Sequence, residues 1–139
     1  APNTPTLSAV TVDCNGSLSA PTTTDNCAGT ITGTTTDTLN FVEGGSTVIT
    51  WTFDDGNGNS IDVNQTYNYD DTTAPNTPTL SAVTVDCNGS LSAPTTTDNC
   101  AGTITGTTTD TLNFVEGGST VITWTFDDGN GNSIDVNQT

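Results

Sequence analysis

Residues 47–69 read Thr-Val-Ile-Thr-Trp-Thr-Phe-Asp-Asp-Gly-Asn-Gly-Asn-Ser-Ile-Asp-Val-Asn-Gln-Thr-Tyr-Asn-Tyr. Ile49, Trp51 and Phe53 fall on one side of this alternation and Thr50 and Thr52 on the other, the period of two that belongs to a half-buried strand. Beyond the loop, Ile61, Val63, Tyr67 and Tyr69 alternate with Asp62, Asn64, Thr66 and Asn68. Between the two runs, Asp54-Asp55-Gly56-Asn57-Gly58-Asn59 supplies Gly and Asn where a hairpin loop needs positive φ. The stretch therefore predicts a β-hairpin, with Trp51 as a core anchor because a large ring on an alternating strand is best placed inward.

Outward from this hairpin, residues 7–12, 17–20, 29–34 and 38–42 also read as strands, separated by turn chemistry. Short strands at close intervals, no helical period, and proline only near edges or loops predict an all-β fold of the immunoglobulin-like sandwich type. The whole pattern then recurs: residues 1–66 are identical to residues 74–139, and only Tyr67-Asn68-Tyr69-Asp70-Asp71-Thr72-Thr73 is unduplicated. Solenoid repeats run to roughly 20–50 residues, whereas this longer unit can enclose a small core of its own. The expectation is tandem immunoglobulin-like antiparallel β-sandwiches, a first repeat at 1–71 and a second at 72–139 with its last strand truncated. The chain opens on Ala1-Pro2-Asn3 without a signal pattern, and the second copy stops before residues matching Tyr67 and Tyr69. A segment of a longer array is expected.

The 139 residues include 16 acidic side chains and no Lys, Arg or His, for a net charge of −16. No salt bridge is expected. Apolar residues make up 30%, below the roughly 45–50% of globular chains; composition alone leans toward disorder, and the ordered alternation argues against it. Nucleic acids and anionic lipids are bound mainly through Lys and Arg, so neither is an expected partner. No run reaches the length of a membrane span, so direct membrane insertion is not expected either. Without imidazole or amine there is no Ser-His-Asp, Cys-His or Schiff-base chemistry, and a paired-carboxylate glycosidase needs a cleft that so small a unit lacks. The reading is not an enzyme.

The chemistry that remains is carboxylate, amide, hydroxyl and thiol. For the four cysteines, pairing Cys14 with Cys27 and Cys87 with Cys100 is the connectivity that keeps the repeats independent. Such a short loop, once closed, contributes roughly 3 kcal/mol in the chain-entropy model, and disulfides imply an extracellular setting. Acidic and amide residues gather in the hairpin loops and the linker, and hard cations take such oxygen ligands. The candidate calcium ligands are Asp54, Asp55 and Asn57 in the first loop, Asp127, Asp128 and Asn130 in the second, and Asp70 and Asp71 in the linker, where an ion between domains would stiffen the array. Asn59 and Asn132 stand nearby as neutral donors. Ca2+ is the one cofactor expected. The competing reading of these residues is a set of solvated turns. The Thr-x-Thr stretches read as ordinary solvent faces of strands.

Residues 20–33, Ala-Pro-Thr-Thr-Thr-Asp-Asn-Cys-Ala-Gly-Thr-Ile-Thr-Gly, followed by 41–60, resemble the hyalin repeat, an immunoglobulin-like adhesion module. Asp70-Asp71-Thr72-Thr73-Ala74-Pro75 looks like that family's junction between repeats. More narrowly, the chain is similar to the hyalin-repeat-like units of giant cell-surface and gliding adhesins of Bacteroidetes. One departure is Trp51, which stands where many hyalin repeats carry a Cys, so the family's disulfide pattern does not transfer whole. The resemblance also implies O-glycosylation of the Asp-Ser/Thr-aliphatic-or-Thr kind, with Thr38, Thr72 and Thr111 as candidates.

Taken together, these features predict a stalk or filament segment of an extracellular, cell-surface adhesin. Its expected partners are neighbouring identical repeats in the same chain and other copies in a filament. Two alternatives remain open: a glycan- or protein-binding repeat that uses Tyr67 and Tyr69, and a self-assembling subunit whose last strand completes another chain's sheet.

Overall fold

The computed structural model describes all 139 residues and contains only strands, turns and loops. The fold is all-β. The chain divides into two compact units, Ala1–Asp70 and Asp71–Thr139.

In the first unit, β1 (Val10–Val12), β2 (Thr22–Asp25), β3 (Gly29–Thr32), β4 (Ser46–Asp54) and β5 (Ser60–Tyr69) form two sheets. The larger has the order β1-β5-β4, and β2 and β3 form the smaller. The β4–β5 hairpin is the one read from residues 47–69, in register from Ser46 opposite Asn68 to Asp54 opposite Ser60. Its loop turns through Gly56 and Gly58 at φ of 73° and 92°, a conformation in which a Cβ would clash with the backbone.

A bridge between Thr34 and Thr52 leads the chain from β3 onto β4. The β1–β5 pairing is parallel, the one departure from a wholly antiparallel arrangement. The predicted strands at 17–20 and 38–42 lie outside any ladder. Their apolar side chains still serve: Leu18, Leu39 and Phe41 pack, partly buried, against the core.

That core is Val12, Ile31, Ile49, Trp51, Phe53, Tyr67 and Tyr69. Trp51 is 2% exposed, as its place in the alternation predicts. One inward position of β5 is polar. Gln65 accepts from Trp51 Nε1 (3.0 Å) and from the Tyr67 hydroxyl (3.1 Å), and its amide donates to the Ser8 carbonyl (3.0 Å). A buried amide satisfied in this way avoids the desolvation cost of an unpaired polar group and fixes both rings.

The second unit repeats the sequence with fewer strands: β6 (Thr95–Asp98), β7 (Gly102–Thr105), β8 (Ile122–Asp127) and β9 (Ser133–Gln138). Residues 83–85 and 119–121, the copies of β1 and of the start of β4, are not strands here. In the first unit, Val10 and Val12 pair with Tyr67 and Tyr69, and Ser46 and Thr47 pair with Asn68 and Tyr67. The matching partner positions lie beyond Thr139. Its buried core is Ile104, Ile122, Trp124 and Phe126, and Val83, Leu112 and Phe114 are exposed.

Candidate functional site

In each unit, two aspartates cap loops with their side chains. Asp25 ends β2, and its Oδ1 accepts the N–H groups of Cys27 (2.8 Å) and Ala28 (3.0 Å) in the β2–β3 turn. Asp55 follows β4, and its Oδ1 accepts the N–H groups of Asn57 (2.8 Å) and Asn59 (3.1 Å) while Oδ2 takes the Asn59 side-chain amide (2.7 Å). Together with Asn26, Cys27 and the chain's Ala1, these residues line one hollow. Asp98 and Asp128 repeat both caps in the second unit, with bonds of 2.7 to 3.0 Å.

The caps act on ionisation. The Ala28 and Cys27 N–H groups hold the Asp25 carboxyl below its ordinary value, and the Asn59 amide and Asn57 N–H do so for Asp55. Burial works to raise Asp128, but the bonds from Asn130 and Asn132 outweigh it and the net direction is down. A depressed carboxyl contributes stability that is complete above the unfolded value near pH 4 and is lost as pH falls through the lower folded value. Acid titration followed by circular dichroism therefore yields a loss of first-unit stability below about pH 4 that is shallower in Asp55→Asn than in the parent chain; parallel curves would contradict it.

Asp71 joins the second unit's pair. Its Oδ2 accepts from the Asn130 amide (2.9 Å), its backbone carbonyl from the Asn132 amide (2.9 Å), and its Oδ1 from the Thr73 N–H (3.1 Å). Asp71, Asp98 and Asp128 are all buried, and carboxylate oxygens of Asp71 and Asp98 lie within 4.8 Å of each other.

Of the candidate ligands read from sequence, Asp55, Asn57, Asp71, Asp128 and Asn130 thus stand at these clusters. Asp54 and Asp127 do not. They are exposed, and each spends an oxygen on the next glycine's N–H, Gly56 or Gly129. Asp70 is exposed as well, bonded through its N–H to the Val12 carbonyl. The residues that sequence reasoning missed are Asp25 and Asp98. Their signal was the Asp-Asn-Cys-Ala-Gly turn, in which an Asp caps the two N–H groups that follow.

Three further expectations meet the structure differently. Cys14 and Cys100 are disulfide-bonded while Cys27 and Cys87 carry free, exposed thiols, so the pairings within each copy are not made. Closeness in sequence misleads because Cys14 follows β1 in the larger sheet, whereas Cys27 tops the hairpin of the smaller one. The expected lack of any salt bridge holds for side chains only, since the Ala1 ammonium lies 3.7 Å from Asp25 Oδ2. Tyr67 and Tyr69 are 2% and 3% exposed. The Tyr69 hydroxyl bonds Thr47 Oγ1 (2.6 Å) and the Asn40 N–H (3.0 Å), and its ring meets Phe41 at 5.3 Å. They are packing residues and present no face to a ligand.

The corresponding place in the second unit is an open groove lined by Val83, Val85, Leu91, Leu112, Phe114 and Ile122. Thr38, Thr72 and Thr111 are exposed.

No curated protein and no solved structure matches the chain. No helix is long and apolar enough to cross a membrane. Residues 2–69 match the family described as a HYR-like domain with 4 cysteines, a module typical of extracellular proteins; the matched stretch holds two cysteines, Cys14 and Cys27. Residues 2–69, which fold within one all-β unit, are thus a HYR-like repeat, and residues 75–139 repeat residues 2–66 without a change.

Proposed function

We propose that the chain is a length of stalk or filament in an extracellular cell-surface adhesin, serving adhesion or gliding motility by projecting an active part away from the cell. The observation that carries this reading is the unbroken identity of the two copies. A spacer needs repetition, whereas a module that recognises or transforms a ligand gains from it only through avidity. Uniform negative charge supports the same reading, because repeats that repel one another stay soluble and extended. Neighbouring repeats are the partners in this reading, no catalytic step belongs to it, and the exposed Thr38, Thr72 and Thr111 would carry its glycans. Small-angle scattering on chains of two, four and six copies tests it. The maximum dimension is expected to grow by an equal step per copy, and a dimension that stays nearly constant would refute it.

The central place of β5 in the larger sheet favours one further reading, in which its Tyr-x-Tyr end is exchanged between copies and they assemble end to end. Sedimentation over a range of concentrations distinguishes the two. Growth into long assemblies supports strand exchange, and a chain that stays monomeric at every concentration removes it.

A further inference from the structure

The second unit buries three carboxylates from three separate segments: Asp71 at its start, Asp98 at the end of β6 and Asp128 after β8, at 3%, 7% and 8% exposure. A buried carboxylate is tolerated when a positive charge or enough hydrogen bonds compensate its lost hydration. The chain has no Lys, Arg or His to do so. Asp128 is compensated by amide and N–H donors on both oxygens. Asp98 is compensated on one side only: Oδ1 takes the N–H groups of Cys100 (2.7 Å) and Ala101 (2.8 Å), while Oδ2 is buried and has no hydrogen-bond partner.

The same atom in the first unit, Asp25 Oδ2, also lacks a hydrogen-bond partner, and the Ala1 ammonium lies 3.7 Å from it. In the second unit, Asp71 stands beside the matching oxygen, with carboxylate oxygens of the two residues within 4.8 Å. Two oxygens each 2.3–2.6 Å from one calcium ion lie up to about 5 Å apart, so the spacing suits two ligands of a single ion. The neighbouring sulfur, Cys100 Sγ, is disulfide-bonded and offers no thiolate. An all-oxygen donor set selects a hard cation over zinc or copper.

We propose that Asp71 and Asp98 form a divalent-cation site for calcium, with Asp98 Oδ2 and the Asp71 carboxylate as its direct ligands. The ion fastens the first segment of the second unit to the turn that follows β6. Asn130 and Asn132 hold Asp71 in place for it.

The test is calcium titration of the complete chain by calorimetry, after chelator treatment and in 150 mM salt, with thermal unfolding alongside. Calcium is expected to bind with measurable heat and to raise the second unit's unfolding temperature with each tenfold increase in free ion. Asp98→Asn keeps the Oδ1 cap and should weaken binding at least tenfold, as should Asp71→Asn; Asp127→Asn, at the exposed neighbour, should titrate like the parent. If either site variant fails to fold, the Asn130 and Asn132 side-chain amide resonances of the parent chain decide instead, because they are expected to shift on titration with calcium. A thermal shift reproduced by sodium at matched ionic strength would overturn the proposal as general screening. So would site variants that bind like the parent, or unmoved Asn130 and Asn132 resonances.

Discussion

Lengthening the chain past Thr139 by Tyr-Asn-Tyr-Asp will stabilise its second unit by on the order of 3–5 kcal/mol or more, since the loss of one buried aromatic side chain alone costs that much. Copies of Tyr67 and Tyr69 would then lie in the groove lined by Val83, Leu112 and Phe114. The added strand would pair with residues 83–85, which have the sequence of β1, and with residues 119–120, just ahead of β8. Urea unfolding followed through Trp124 in a Trp51→Phe background reports this unit alone. The expected result is a higher midpoint and a steeper slope, because more surface is exposed when the completed unit unfolds. An unchanged midpoint would mean that the groove is not the counterpart of the Tyr67–Tyr69 seat.

The second large effect is at Phe53. It is fully buried, and a Cβ placed on Gly33 would lie 3.1 Å from its ring atoms and 3.3 Å from the Trp51 ring. Phe53→Ala removes the centre of a small core, and a loss of about 3–5 kcal/mol is expected. In so small a domain this is enough to unfold the first unit while the second still melts as before. Gly33→Ala should cost much less, because the rings must give by only a few tenths of an ångström. In the Phe53→Ala background its added methyl enters the cavity, so the double variant should be more stable than Phe53→Ala alone. Additive losses in a double-mutant cycle would show that the two positions do not share this contact.

How far the sequence could be read follows from how local each feature is. The β4–β5 hairpin and the place of Trp51 were legible because alternation and loop glycines lie within one stretch of 23 residues. Gln65 was not, since an amide at an inward position makes sense only once Trp51, Tyr67 and Ser8 surround it. The two copies make the point more sharply. Val10–Val12 is a strand and its identical copy at 83–85 is not, so strand formation here is decided by a partner more than fifty residues away and not by propensity. The cation candidates divide in the same way. Asp55 and Asp128 were found from their loops, but Asp25 and Asp98, in the turn of the other sheet, join them only in the folded unit.

The parallel pairing of β1 with β5 has a mechanical side. The chain enters the first unit ahead of Val10 and leaves it after Tyr69, and because the two strands run the same way, these points lie at opposite ends of their shared ladder. A pull on the chain from both sides is therefore directed along the strands. The bonds between them are loaded together in shear and cannot open one after another like a zipper, so this short ladder, backed by the seats of Tyr67 and Tyr69, resists tension as a whole.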